Sequence, residues 1–134
     1  MSTDEWRLPV PYRRPPLSLN GREHWSTRNR ISAEVKRAGW AVARGRKVPP
    51  LKAIIVELVW FKGDNRRADA DNMAPTLKAL QDGLVAAGVV PDDSGDRVLS
   101  ARLSVVLRRD DPYPGAGARM ELRIRDASVL ALPS

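Results

Sequence analysis

Ala53-Ile54-Ile55-Val56-Glu57-Leu58-Val59-Trp60-Phe61 is the stretch on which the fold turns. Rich in Ile, Val and aromatic residues and bounded by Pro49-Pro50 and Gly63, it reads as a buried strand at the centre of a sheet. Glu57 breaks its apolar run, which is in any case far below the roughly 20 residues of a membrane-spanning helix. Downstream, Pro75 suits a first helical turn, Leu77, Leu80 and Leu84 form an apolar stripe, and Gly88 is a stop, so a helix is expected over Pro75 to Ala87. Leu99, Ala101, Leu103, Val105 and Leu107 then alternate with polar residues, with one slip at Val106, as in a half-buried strand. Met120, Leu122 and Ile124 alternate with Arg119, Glu121, Arg123 and Arg125 in the same way. These last two strands are expected to pair antiparallel, leaving one wet, basic face.

Upstream, Ile31, Val35, Ala38 and Val42 recur at helical spacing and Gly45 offers a C-terminal stop, which predicts a helix over Ile31 to Val42. Prolines at 9, 11, 15 and 16 restrict any strand before it to a short edge strand around Trp6 to Val10. The expected fold class is α/β with α+β character: a small mixed sheet, element order β-α-β-α-β-β, and two helices packed on one face. The tail from Ala127 to Ser134 carries no clear signal.

With 134 residues, a single domain over 1–134 is expected. Lys and Arg exceed Asp and Glu by 23 to 16, a net charge of +7 that favours a polyanionic partner. Membrane-surface binding is the weaker option, because the basic residues are not confined to one amphipathic helix with a bulky apolar face. Cysteine is absent and His24 is the only histidine, which excludes disulfides and thiolate sites and argues against His-rich zinc sites and a Ser/His/Asp triad. The start of the chain has neither the basic nor the apolar region of a secretory signal, so a cytoplasmic location is expected.

In so basic a chain, clustered carboxylates stand out. Asp69 and Asp71 are two apart, so in an extended segment both side chains share one face. Two carboxylates held together repel unless a cation neutralises them, and Mg²⁺ or Mn²⁺ prefers such oxygen ligands. Asp92-Asp93-Ser94 follows the second helix, and only one of those adjacent aspartates can join a shared site. Each cluster also has an ordinary reading, as a helix cap or as turn chemistry. Placement at the two ends of one helix favours a joint role. An EF-hand is excluded, since the loop counted from Asp69 would need ligands or glycine where Met73, Ala74 and Leu80 stand. Lys78 and Asp82, four apart, make either a surface ion pair or a cation fixed near the carboxylates to steady a phosphate. Arg66 and Arg67 are candidates for phosphate contact, with Lys62 in the same basic connection. Arg30, Lys36, Arg37 and Arg44 on the first helix form either a solvated face or a DNA-facing stripe.

Arg66-Arg67-Ala68-Asp69-Ala70-Asp71-Asn72, then Lys78-Ala79-Leu80-Gln81-Asp82-Gly83-Leu84, then Ala87-Gly88-Val89-Val90-Pro91-Asp92-Asp93-Ser94 resembles the RusA family of Holliday-junction resolvases. Pro15-Pro16-Leu17-Ser18-Leu19-Asn20 is loosely similar to that family's N-terminal segment. The resemblance implies one RusA-like endonuclease domain, a homodimer that nicks four-way DNA junctions symmetrically in recombination and repair. It also implies a bacterial or phage-infected cell as the setting. Carried over by motif, Asp69, Asp71 and Asp93 are implied as catalytic, metal-binding carboxylates for Mg²⁺ or Mn²⁺, Lys78 as a catalytic lysine, and Asn72, Asp82 and Asp92 as supporting residues. The stretch Met73 to Thr76 is three residues longer than the family's usual spacing, and Ala68 stands where the family often has a basic residue. The competing readings are a nuclease for another DNA branch and a noncatalytic DNA-binding protein on the same fold.

Overall fold

The central run forms β2 (Ile54–Phe61), flanked on one side by β4 (Arg119–Asp126) and on the other by β3 (Val98–Val106). A fourth strand, β1 (Glu5–Val10), pairs antiparallel with β4, so the sheet order is β1-β4-β2-β3. This is the arrangement in a computed structural model, which describes residues 4–131; the end of the C-terminal tail and the first three residues lie outside it. β2 runs parallel to β3 and antiparallel to β4. Two helices complete the described elements, α1 (Trp25–Gly45) between β1 and β2, and α2 (Ala74–Ala86) between β2 and β3.

The antiparallel pairing expected between the last two strands is corrected: β3 and β4 do not touch as neighbours, because β4 crosses to the far side of β2 and wedges between it and β1. Period-2 alternation fixes which side chains face the core but says nothing of which strand lies alongside. The helical crossover through α2 returns the chain parallel to β2, which makes β3 an edge. The connection from β3 to β4, with short 3₁₀ turns at Arg108–Asp110 and Pro114–Ala116, then carries the chain past β2.

Both helices pack over the face bearing Leu8, Val56, Leu58, Leu122 and Ile124, where Val35 of α1 and Leu77, Leu80 and Leu84 of α2 join one continuous core. The opposite face is charged. There Ser104 Oγ donates to Glu57 Oε2 at 2.6 Å and Arg123 stands 3.6 Å from the same carboxylate, which accounts for an acid in the middle of the apolar run. Among the described residues no helix is long and apolar enough to cross a membrane.

α1 begins six residues before the expected Ile31, with His24 Nδ1 accepting from Ser26 N–H at 3.2 Å as a cap. The added turns, Trp25 to Arg30, are exposed or half-buried and carry no apolar stripe, so helical periodicity does not announce them. At the other end Arg46 N–H bonds Val42 O and Val48 N–H bonds Ala43 O, with Lys47 left-handed at φ 54°. Glycine is the residue suited to that conformation. Lys47→Gly is therefore expected to raise stability by about 0.5–1 kcal/mol in urea denaturation, and an unchanged or lower midpoint would contradict the assignment of strain there.

Among the ion-paired acids of the described residues, Asp111 is the one whose side chain is sealed from solvent, at 1% exposure. Arg119 grips it with two guanidinium hydrogen bonds of 2.8 Å, and its Cζ lies 4.0 Å from the Phe61 ring centroid. The Arg119 hydrogen bonds hold the Asp111 carboxyl below the usual carboxylate range. A depressed folded-state pKa contributes stability above the unfolded value, near 4, and loses it as pH falls through the folded one. Asp111→Asn should thus cost about 2 kcal/mol at pH 7, less than a fully buried pair because Arg119 is partly exposed. The gap from wild type should narrow steadily below pH 4 in urea titrations at a series of pH values.

Candidate active site

α2 organises the acidic residues because both of its flanking connections carry them. After β2 the chain turns at Gly63, left-handed at φ 79°, where an added Cβ would lie 2.8 Å from the Ala118 nitrogen. Lys62 Nζ and the Arg66 N–H both bond Asp64 Oδ1, at 3.0 and 2.9 Å, and these contacts hold the Asp64 carboxyl below its usual range. The loop then presents Arg66 and Arg67, both exposed, before Asp69.

Asp69 is extended and caps a 3₁₀ turn at Ala70–Met73, its Oδ1 accepting from the Asp71 N–H at 3.0 Å. Asp71 sits inside that turn, so the extended segment that would align the two side chains on one face is replaced by cap and helix. Both are exposed at the carboxyl end of β2 and the head of α2, the place where open α/β sheets offer their ligand crevices. Pro75 stands in the first turn of α2, which follows the 3₁₀ turn directly.

The N-terminal segment closes this end. Thr76 Oγ1, fully buried, donates to Leu17 O at 2.8 Å and accepts from Leu17 N–H at 3.1 Å, and Leu19 N–H bonds Asn72 O. The Pro-rich stretch thereby lies against the Asp69 turn.

Lys78 is a second centre. Its Nζ donates to Asp82 Oδ1 at 2.9 Å, the expected i,i+4 pair, and also to Asp93 Oδ2. The hydrogen bond to Asp93, then that to Asp82, raises the Lys78 pKa, and the Lys78 contact lowers that of Asp93. Asp92 Oδ1 instead accepts from Ser94 N–H at 2.9 Å, so of the adjacent pair only Asp93 bonds Lys78. Lys36 of α1 lines the groove with Lys78 and Asp82 and the neighbouring hollow with Asp92 and Asp93. Arg30, Arg37 and Arg44 are exposed along α1, and Arg44 stands 5.8 Å from the centroid of Trp40.

The carboxylates thus fall into two groups: Asp69 and Asp71 at the head of α2, and Asp82 and Asp93 on its flank around an internal ammonium. Lys78 lies seven residues beyond Asp71, roughly 10 Å of helix rise. Among the described residues no three carboxylates or histidines are grouped so as to hold a metal ion. Asp69 and Asp71 stand at the 3₁₀ turn, whereas Asp93 is drawn to Lys78. Sequence reasoning gave no site role to Arg14 or Trp60 and named Ser18 only within the Pro15 to Asn20 segment; all three line a cleft with Arg67, Asp69 and Asn72. They come from a segment and a strand end whose approach to the Asp69 turn no periodicity encodes. No protein-family model matches the chain, and no curated protein matches it.

Proposed function

We propose that this chain is an endonuclease of branched DNA that resolves four-way junctions by paired nicks, acting as a homodimer. The observation that carries the reading is the concentration of exposed Asp and basic side chains around α2 in a chain of net charge +7. Arg66 and Arg67 bind backbone phosphates and set the register of the duplex arms. Asp71, exposed at the head of α2, is the group available to accept a proton from attacking water. Lys78, released from one of its two carboxylates, is a donor for the charge that develops on the phosphate. A four-way junction has approximate two-fold symmetry, which a C2 dimer with one site per protomer matches. Dependence on Mg²⁺ or Mn²⁺ is proposed on the resemblance to the RusA family, and no step above is assigned to a metal.

The dispersal of Asp69, Asp71 and Asp93 into two groups favours a second reading, a noncatalytic DNA-binding protein in which these acids cap, turn and pair. Incubating the protein with a four-way junction and a matched linear duplex, in Mg²⁺, Mn²⁺ or EDTA, separates the two. Symmetric nicking of the junction in either metal and none in EDTA is the expected result. Tight junction binding with no cleavage under any condition would replace the nuclease by the binder.

A further inference from the structure

Beside Asp69 the structure holds a cleft of about 390 Å³, within the roughly 300–1,000 Å³ of small-ligand pockets. Its walls combine three chemistries. Arg14 and Arg67 supply cations, while Pro15, Met73 and Trp60 supply apolar surface. Ser18 and Asn72 supply hydrogen-bonding groups. The Trp60 ring is held in place, its Nε1–H donating to Arg13 O at 3.0 Å, and Lys62 Nζ lies 5.5 Å from its centroid. Asn72 uses its backbone N–H and C=O on Asp69 and Leu19, whereas no hydrogen bond among the described residues engages its side-chain amide. The anchoring of Leu17 on Thr76 holds Pro15 and Ser18 in the lining of the cleft.

We propose that this cleft binds one unpaired nucleotide of a DNA strand, its base against Trp60 and Pro15 and its phosphate between Arg14 and Arg67. The inference rests on the DNA-directed reading above and adds the feature of the substrate that the site recognises. A paired base is stacked and keeps its faces covered, so a pocket with apolar walls and a free amide is satisfied only by a nucleotide outside the duplex. Cations beside an aromatic wall are the equipment by which proteins hold single strands, and an amide offers both a donor and an acceptor to a base edge. Asp69 on the rim places the bound nucleotide next to the acidic end of α2. Branch points and frayed ends are where a duplex presents such a nucleotide.

The test measures binding in EDTA, so that cleavage plays no part. Fluorescence anisotropy with a labelled eight-nucleotide oligothymidylate and with a 16-base-pair duplex is run on the wild type, Asn72→Ala, Arg14→Ala and Trp60→Leu, with circular dichroism to confirm folding. Asn72→Ala is uncharged and surface-accessible, so it reports even where Trp60→Leu unfolds the strand end. The expected result is a loss of about 10-fold in single-strand affinity for Asn72→Ala with less than 3-fold change for the duplex, and a larger single-strand loss for Arg14→Ala. Unchanged oligothymidylate binding in Asn72→Ala, or equal losses on both probes, overturns the pocket. The nuclease reading fails separately: a junction left intact in both metals, together with selective single-strand loss in Asn72→Ala, removes the enzyme and keeps the pocket.

Discussion

Gly83→Ala is expected to destabilise the protein by about 3 kcal/mol, although alanine is the better helix former. Gly83 lies in α2 where it meets α1, and a Cβ there would stand 2.2 Å from Lys36 O, 2.6 Å from Trp40 N and 2.9 Å from Gly39 Cα. All three are backbone atoms, so no rotamer change relieves the clash and the helices must separate. Gly39 makes the reciprocal approach, with Leu80 O 2.6 Å from its would-be Cβ. The helix propensity gained from Gly to Ala is about 1 kcal/mol, whereas overpacking a fixed contact costs typically 1–3 kcal/mol and occasionally more. The clash wins because it falls on two backbones at once. A fall of roughly 10 °C in midpoint temperature follows for a domain of this size. Gly45→Ala is the control: nothing lies within 4 Å of a Cβ at that last residue of α1, so its midpoint should hold or rise. Equal behaviour of the two variants would refute the close helix contact. The contact also bears on the site, because it sets Lys36 beside Asp82.

The sequence carried the elements more clearly than their neighbours. Period 2 in Met120, Leu122 and Ile124 marks a strand with one buried face, and all three are buried. The same pattern is silent on β4 lying between β1 and β2, since alternation is a property of one strand and pairing a property of two. α2 was legible to within a residue because Pro75 and the Leu stripe signal start and face together. The head of α1 was not, as its opening turns face solvent and carry a histidine cap outside the common capping residues. In the site, the i,i+4 spacing announced Lys78 with Asp82, while the third partner, Asp93, arrives through a loop that folds back along the helix. The cleft around Trp60 was illegible for a related reason: its walls come from residues 14 to 18, 60 and 67 to 73, joined by tertiary contacts of Thr76, Leu19 and Trp60 that no local pattern encodes.

Asp71→Asn is expected to reduce junction nicking by about 100-fold or more, the scale of a lost general base, while leaving folding and junction binding nearly unchanged. Among the described residues Asp71 has an exposed carboxylate with no ion pair or hydrogen bond to another side chain, and it is the Asp71 backbone N–H that Asp69 caps. Asparagine keeps the shape and the backbone bond, so the loss is confined to chemistry. Asp93→Asn differs in kind. It takes one of two carboxylates from Lys78, leaving the ammonium with Asp82 and lowering the Lys78 pKa that Asp93 helps to raise. Nicking should fall there too, and the pH profile should move at its alkaline limb, where Lys78 loses its proton at lower pH than in the wild type. Asp71→Asn should leave that limb in place. If the protein only binds DNA, neither variant has an activity to lose, and removing a negative charge beside phosphates tightens junction binding in both, most at low salt. Nicking rates across pH and junction affinity at two salt concentrations, measured on the same two variants, therefore assign Asp71 to proton transfer and Asp93 to the setting of Lys78, or assign both to the electrostatics of a binding surface.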